Sequence, residues 1–204
     1  MKASRSDTLP QSWFRSANCD ARYGAVLLGL VTLILGLSAT GDWGRQALRY
    51  ERSALYAHQW WRLLSAHLVH LSWEHALLDT AGLVLLWVLF ARDFSPGRWL
   101  WIVTLSIAVI DAGLWFLRPA VEWYLGASGV LHGVLAAGAC AMYRRAEGTG
   151  AVLLLLLVIK LIYEQRSGTS LFLGGVPLVP DAHLFGALGG LIAACVPRAQ
   201  VKRL

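Results

Sequence analysis

The chain has 204 residues, of which 57% are hydrophobic and 15% charged, and it carries a formal net charge of +6. So much apolar side chain cannot be hidden inside a water-soluble domain of this length, so lipid must be the solvent for much of its surface. The basic residues lie between apolar runs and form no single basic face, so no nucleic-acid partner is expected.

Residues 1–23 are polar and contain Lys2, Arg5, Arg15 and Arg22. No small-residue cleavage site follows the first apolar run, so an uncleaved cytoplasmic tail is expected, not a signal peptide. A single membrane domain is expected over 24–197, and a second cytoplasmic tail over 198–204. The predicted spans lie at about 25–40, 68–90, 99–117, 128–143, 151–163 and 182–196. An amphipathic loop over 41–67 separates the first two. Several spans fall short of the ~20 residues that cross a bilayer, which implies tilt or local thinning. Ten Trp and six Tyr suit the bilayer interface.

Six spans leave both termini on one side. Eleven Lys and Arg flank that side and six flank the other, so the positive-inside bias assigns the termini to the cytoplasm. Cys19, Cys140 and Cys195 then face the reducing side, and no disulfide is expected. No inverted repeat of the kind transporters carry is visible.

Polar residues inside apolar spans are costly and mark candidate functional positions. Span four opens with Gly126-Ala127-Ser128-Gly129, which sets Ser128 where a loop enters a helix. Backbone N–H groups there lack intrahelical partners and favour developing negative charge, as an acyl-transfer nucleophile requires. Alternatively, Ser128 merely caps the helix while Gly129 and Gly133 form a packing face. Span six opens with Ala182-His183, and His183, Gly186, Ala187, Gly190 and Ala194 share one nearly side-chain-free face. Such a face allows another helix to approach closely. If that helix is span four, His183 reaches Ser128 and serves as general base. Otherwise His183 is an interfacial histidine at a helix start.

Span two is expected to carry His67, His70, His75 and Asp79, the last two as i, i+4 neighbours. The three histidines spread over a wide arc, and the zincin pattern HExxH is absent, so no metal is expected. Asp111 in span three is expected to pair near the site or with Arg118. Lys160 in span five is expected to snorkel toward an interface. Asp181 is expected to cap span six, with no role as a third catalytic carboxylate.

Together these segments resemble the rhomboid family of intramembrane serine proteases. Trp61-Arg62 resembles the family's Trp-Arg pair of the first loop. His70, His75 and Asp79 resemble its H-x4-H-x3-N pattern, Gly126–Gly129 its G-x-S-G motif, and Ala182-His183-x-x-Gly186-x-x-x-Gly190 its last-span motif. The match covers about residues 60–195. It implies an all-α, six-span bundle with a Ser128–His183 dyad and no cofactor. The oxyanion would be held by the Ser128 backbone N–H and His75, with Gly126, Gly129, His132, Gly186 and His70 lining the site.

Two positions depart from the family pattern. Asp79 stands where the family has Asn; an ionised Asp cannot donate to an oxyanion, so either it stays protonated in its apolar setting or, as is expected, it accepts from His75 and orients that ring. His132 stands where the family often has a Tyr that packs on the catalytic His. It is expected to stack on His183; replacing it as base is the alternative. His132 and the small build resemble the rhombosortase subfamily. That resemblance implies cleavage of glycine-rich C-terminal sorting tails of exported, membrane-anchored proteins at the outer face of a bacterial inner membrane. A rhomboid-like pseudoprotease that binds transmembrane segments without cutting is the rival reading.

Overall fold

The computed structural model describes residues 21–169 and 179–196. Of the tail expected over 1–23, residues 1–20, with Cys19, lie outside the described residues, as does the tail expected over 198–204; residues 21–23 belong instead to the first helix. The described chain is mostly helical. Helix α1 (Ala21–Ala39) is followed at a sharp bend of 108° by α2 (Gly41–Leu48). Strand β1 (Tyr50–Glu51) and the short helices α3 (Arg52–Tyr56) and α4 (Arg62–Ser65) complete the first loop. A 3₁₀ turn (Ala66–Leu68) leads to α5 (Trp73–Phe90). Then come α6 (Pro96–Ala112), a π-helical turn (Gly113–Leu117), strand β2 (Trp123–Tyr124), α7 (Ser128–Arg144), α8 (Gly148–Ser167) and α9 (Pro180–Cys195).

Among the described residues, three segments are long and apolar enough to cross a membrane: Trp73–Phe90, Pro96–Leu117 and Gly148–Ser167. A fourth is added if the bent α1–α2 pair counts as one span. Helices α7 and α9 are shorter, at 17 and 16 residues. They are also the most enclosed, with Gly129, Gly133, Gly138, Gly186, Gly189 and Gly190 all buried. Large apolar side chains such as Leu77, Leu85, Leu155 and Ile159 are exposed on α5 and α8, as lipid-facing surfaces require.

Helix α9 packs most extensively on α7 and next on α6. A Cβ at Gly186 would stand 1.9 Å from the Gly129 carbonyl oxygen, and one at Gly190 the same distance from that of Gly133. Backbone meets backbone there, so only glycine fits. Phe90, Ile102, Ala137 and Ala193 fill the core at the α7 C-terminal end; Tyr50, Ile110, Leu114 and Phe185 fill the other end.

The first loop is tied down by Arg62, which is buried and donates to the Gln46 and Arg49 carbonyls at 2.8 and 2.9 Å and to Gln59 Oε1 at 2.7 Å. Strand β1 pairs antiparallel with β2, Tyr50 opposite Tyr124. This small sheet fixes the segment that leads into Ser128. His67 and His70 precede α5, in the 3₁₀ turn and the loop after it, so only His75 and Asp79 of the expected second-span set ride on that helix. The break follows from Ser72, whose Oγ accepts the His75 N–H and starts α5 there.

Candidate active site

Ser128 is the first residue of α7. The loop before it is held at two points: Gly126 N–H donates to the Ala66 carbonyl at 2.9 Å, and Tyr124 Oη–H to the Gly126 carbonyl at 2.9 Å. Gly126 has φ +122°, and a Cβ there would stand 2.9 Å from His75 Cε1. Any other residue would be strained in backbone and would push His75 away. The capping position belongs to Ala127, and Ser128 Oγ bonds a side chain on another helix. The alternative of Ser128 as a helix cap is therefore not what the structure adopts.

That partner is His183. Its Nε2 lies 2.8 Å from Ser128 Oγ. The glycine contact between α7 and α9 sets this spacing, because His183 sits one turn before Gly186 and Ser128 next to Gly129. His183 is 5% exposed, whereas Ser128 remains half-buried and reachable from the cavity.

His132 stacks on His183 with ring centroids 4.2 Å apart and planes 10° from parallel, as expected. Its Nδ1–H donates to the Ser128 carbonyl at 2.7 Å, and its Nε2 accepts from Lys160 Nζ at 2.9 Å. Both ring nitrogens are thus committed, which leaves neither for the Ser128 hydroxyl. Lys160 does not snorkel outward. It turns inward, because Glu164, one turn later on α8, and His132 supply polar partners that lipid cannot. Glu164 is fully buried, and its Oε2 accepts from His183 Nδ1 at 2.8 Å. The sequence reading missed Glu164. The available signal was a Lys-x-x-x-Glu pair at i, i+4 within an apolar helix.

Asp79 has two histidine neighbours. His70 Nε2 is nearer, at 3.0 Å from Asp79 Oδ2, and His75 Nε2 lies 3.5 Å from the same oxygen. The expected Asp79–His75 pair is therefore shared with His70, which packs edge-on to His75 at 5.1 Å between centroids. His70 reaches Asp79 because it lies in the loop folded back over the start of α5. Asp111 pairs with His67 at 3.4 Å, not with Arg118. Arg118 instead holds Asp181 at 2.8 Å, so Asp181 makes no capping bond to α9.

Two cavities meet at the Ser128–His183 pair. One, of about 270 Å³, is lined by His75, Trp123, Tyr124, Leu125, Ser128 and His183, among others. The second, of about 410 Å³, runs along Leu78, Leu85, Leu131, Leu135 and Lys160 between α5 and α8 and is mostly apolar. Among the described residues, His132, Glu164 and His183 are the group whose donor atoms approach as metal ligands would, all within 4.8 Å. The Lys160 ammonium already bonds both His132 and Glu164, so an internal cation serves these donors. His67, His70 and His75 divide between Asp111 and Asp79 and do not converge on a common point.

The fold is that of a mostly helical membrane protein with a half-buried serine against a buried histidine at the joined N-termini of two glycine-faced helices. The chain belongs to the rhomboid family: the Rhomboid domain matches residues 57–199. It is also similar to a Bacillus subtilis (strain 168) protein named "Putative rhomboid protease YdcA", with 24% identity over 149 residues, 70% of each chain.

Proposed function

We propose that this protein is an intramembrane serine endopeptidase with Ser128 as nucleophile and His183 as general base. The observation that carries this reading is the 2.8 Å contact from Ser128 Oγ to His183 Nε2 at the junction of two cavities. Ser128 Oγ attacks the scissile carbonyl as its proton passes to Nε2. The oxyanion is met by the Ser128 N–H, which points out of the first turn of α7, and by His75 across the cavity. Asp79 acts indirectly by orienting the two histidines beside it. His183 then protonates the leaving amine, and a nucleophile resolves the acyl-enzyme. The apolar cavity between α5 and α8 suits an apolar transmembrane segment of a membrane-anchored protein substrate.

The finer reading is a rhombosortase. It is supported by His132 in place of the family's Tyr, stacked on the base. The substrate is then a glycine-rich C-terminal sorting tail of an exported protein, cut at the outer face of a bacterial inner membrane. In this reading six spans place both termini in the cytoplasm, with α7 and α9 as short spans sheltered by their neighbours.

The test is labelling of the detergent-solubilised chain with a fluorophosphonate probe, followed by co-expression with a tail-bearing protein. Wild type labels and Ser128→Ala does not. Absence of labelling in wild type would overturn the protease reading in favour of a non-cleaving binder. Labelling without tail cleavage would overturn only the rhombosortase assignment.

A further inference from the structure

We propose that Glu164, neutralised by Lys160, is a positioning carboxylate that makes the site a Ser128–His183–Glu164 triad. The proposal rests on the serine protease reading and deepens it.

The hydrogen-bond pattern dictates the proton positions. Ser128 has one hydroxyl proton, and a productive contact to His183 donates it to Nε2, which must then be bare. The ring proton therefore sits on Nδ1 and is donated to Glu164 Oε2 at 2.8 Å. A carboxylate on the far nitrogen of the base holds the imidazole in this tautomer and rotamer. It also faces the imidazolium that forms when Oγ–H breaks, Nε2–H forms and Oγ bonds to the scissile carbon. Glu164 keeps its charge throughout and takes no proton.

Burial makes a merely structural role expensive. Glu164 is 0% exposed on a mostly apolar helix. A lone carboxylate there would be strongly disfavoured. Lys160 removes that penalty from one turn away on the same helix, bonding Oε1 and leaving Oε2 for His183. A second Lys160 donor engages His132 Nε2, so the ring stacked on His183 stays neutral and fixed. Helix α8 runs antiparallel to α7 and α9, which brings its C-terminal turns to the level of their N-terminal ends. Glu164 thus acts through His183, and Lys160 through Glu164 and His132.

The experiment compares wild type, Glu164→Gln, Glu164→Asp and Ser128→Ala as full chains in detergent. Fluorophosphonate labelling is resolved into a maximal rate and a half-saturating concentration. Glu164→Gln presents an amide that can donate to Nδ1 and so select the wrong tautomer. Its maximal rate is expected to fall by about three to four orders of magnitude with half-saturation unchanged. Glu164→Asp recovers at least about tenfold of that loss, because the charge is kept at a longer reach. With 15N-labelled histidine, wild type shows a far-downfield Nδ1–H proton for His183, absent in His183→Phe and in Glu164→Gln.

A Glu164→Gln protein that labels like wild type overturns the triad and leaves the protease reading standing. So does a wild-type spectrum with the His183 ring proton on Nε2, which decides the matter even if Glu164→Gln fails to fold. A wild type that never labels overturns both.

Discussion

Gly190→Ala places one methyl group where α9 crosses α7, two turns from His183. The added carbon would stand 1.9 Å from the Gly133 carbonyl oxygen and 2.5 Å from its carbon, where ordinary contact begins near 3.4 Å. Both obstructing atoms are backbone, so no rotamer change relieves the clash. The helices must part locally by about 1.5 Å, because interiors are too densely packed to absorb the methyl elsewhere. Ser128 lies five residues from Gly133, about 7.5 Å along the axis. A shift of that size at Gly133, carried along the helix, stretches the 2.8 Å Ser128–His183 contact to about 4 Å, beyond hydrogen-bond reach. A misplacement near 1 Å costs about a hundredfold in rate, and overpacking costs about 1–3 kcal/mol in stability. The assay is the fluorophosphonate labelling rate at Ser128 together with thermal unfolding in the same detergent. Gly97→Ala is the control: nothing lies within 4 Å of its added carbon, and it sits exposed at the start of α6. There Ala is expected to be neutral or to stabilise by up to about 1 kcal/mol. A Gly190→Ala protein that labels and melts like wild type would refute the view that glycine contacts set the site.

Three further outcomes are expected. His183→Phe abolishes labelling, whereas His132→Phe keeps the stacked ring but gives up two hydrogen bonds, to the Ser128 carbonyl and from Lys160, and loses about 10- to 100-fold, since each bond is worth ~1 kcal/mol. A dead His132→Phe beside an active His183→Phe would reverse the assignment of the base. Asp79→Asn still accepts from His70 but loses its charge next to two imidazoles, and labelling slows by about 10- to 100-fold, the range for a charged hydrogen bond; an unchanged rate would deny the carboxylate any special role. Asp93, in the loop between α5 and α6, has its carboxyl pushed up by burial more than Arg145 pulls it down. The folded state then binds its proton more tightly than the unfolded chain, so its contribution is greatest at low pH. That contribution is lost as pH rises from the usual aspartate value through the raised one. Melting of wild type relative to Asp93→Asn should therefore decline with pH over that window, by less than about 1 kcal/mol given the partly exposed Asp93–Arg145 pair. A difference that grows with pH would contradict the burial argument.

The family and the Ser128–His183 contact were legible in the primary structure, because they depend on local patterns. Long apolar runs declare a membrane protein whatever its tertiary arrangement. The small-residue face of residues 182–194 and the Gly126–Gly129 motif announce two helices that can touch. Arg62 and His132 were visible as motif positions, and stacking of His132 on His183 was implied by the family resemblance, in which a Tyr at that position packs on the histidine. The break between His70 and His75 was harder to see, because an apolar run conceals a helix start signalled only by Ser72.

Tertiary structure decided which polar groups share a charge. Lys160 read as a snorkelling residue because, along its own helix, the polar end of the span is the nearest refuge. The antiparallel course of α8 instead carries Lys160 and Glu164 to His132 and His183, 28 and 19 residues away in the chain. Asp181 and Arg118 were assigned separately and found each other. Asp79 chose His70 over its helical neighbour because a loop folded back above α5. Periodicity reports which face of a helix is apolar; it does not report which helix that face will meet. Composition and motif thus determined that Ser128 and His183 would be joined by glycine. The packing of α8 determined that their partnership includes a buried carboxylate.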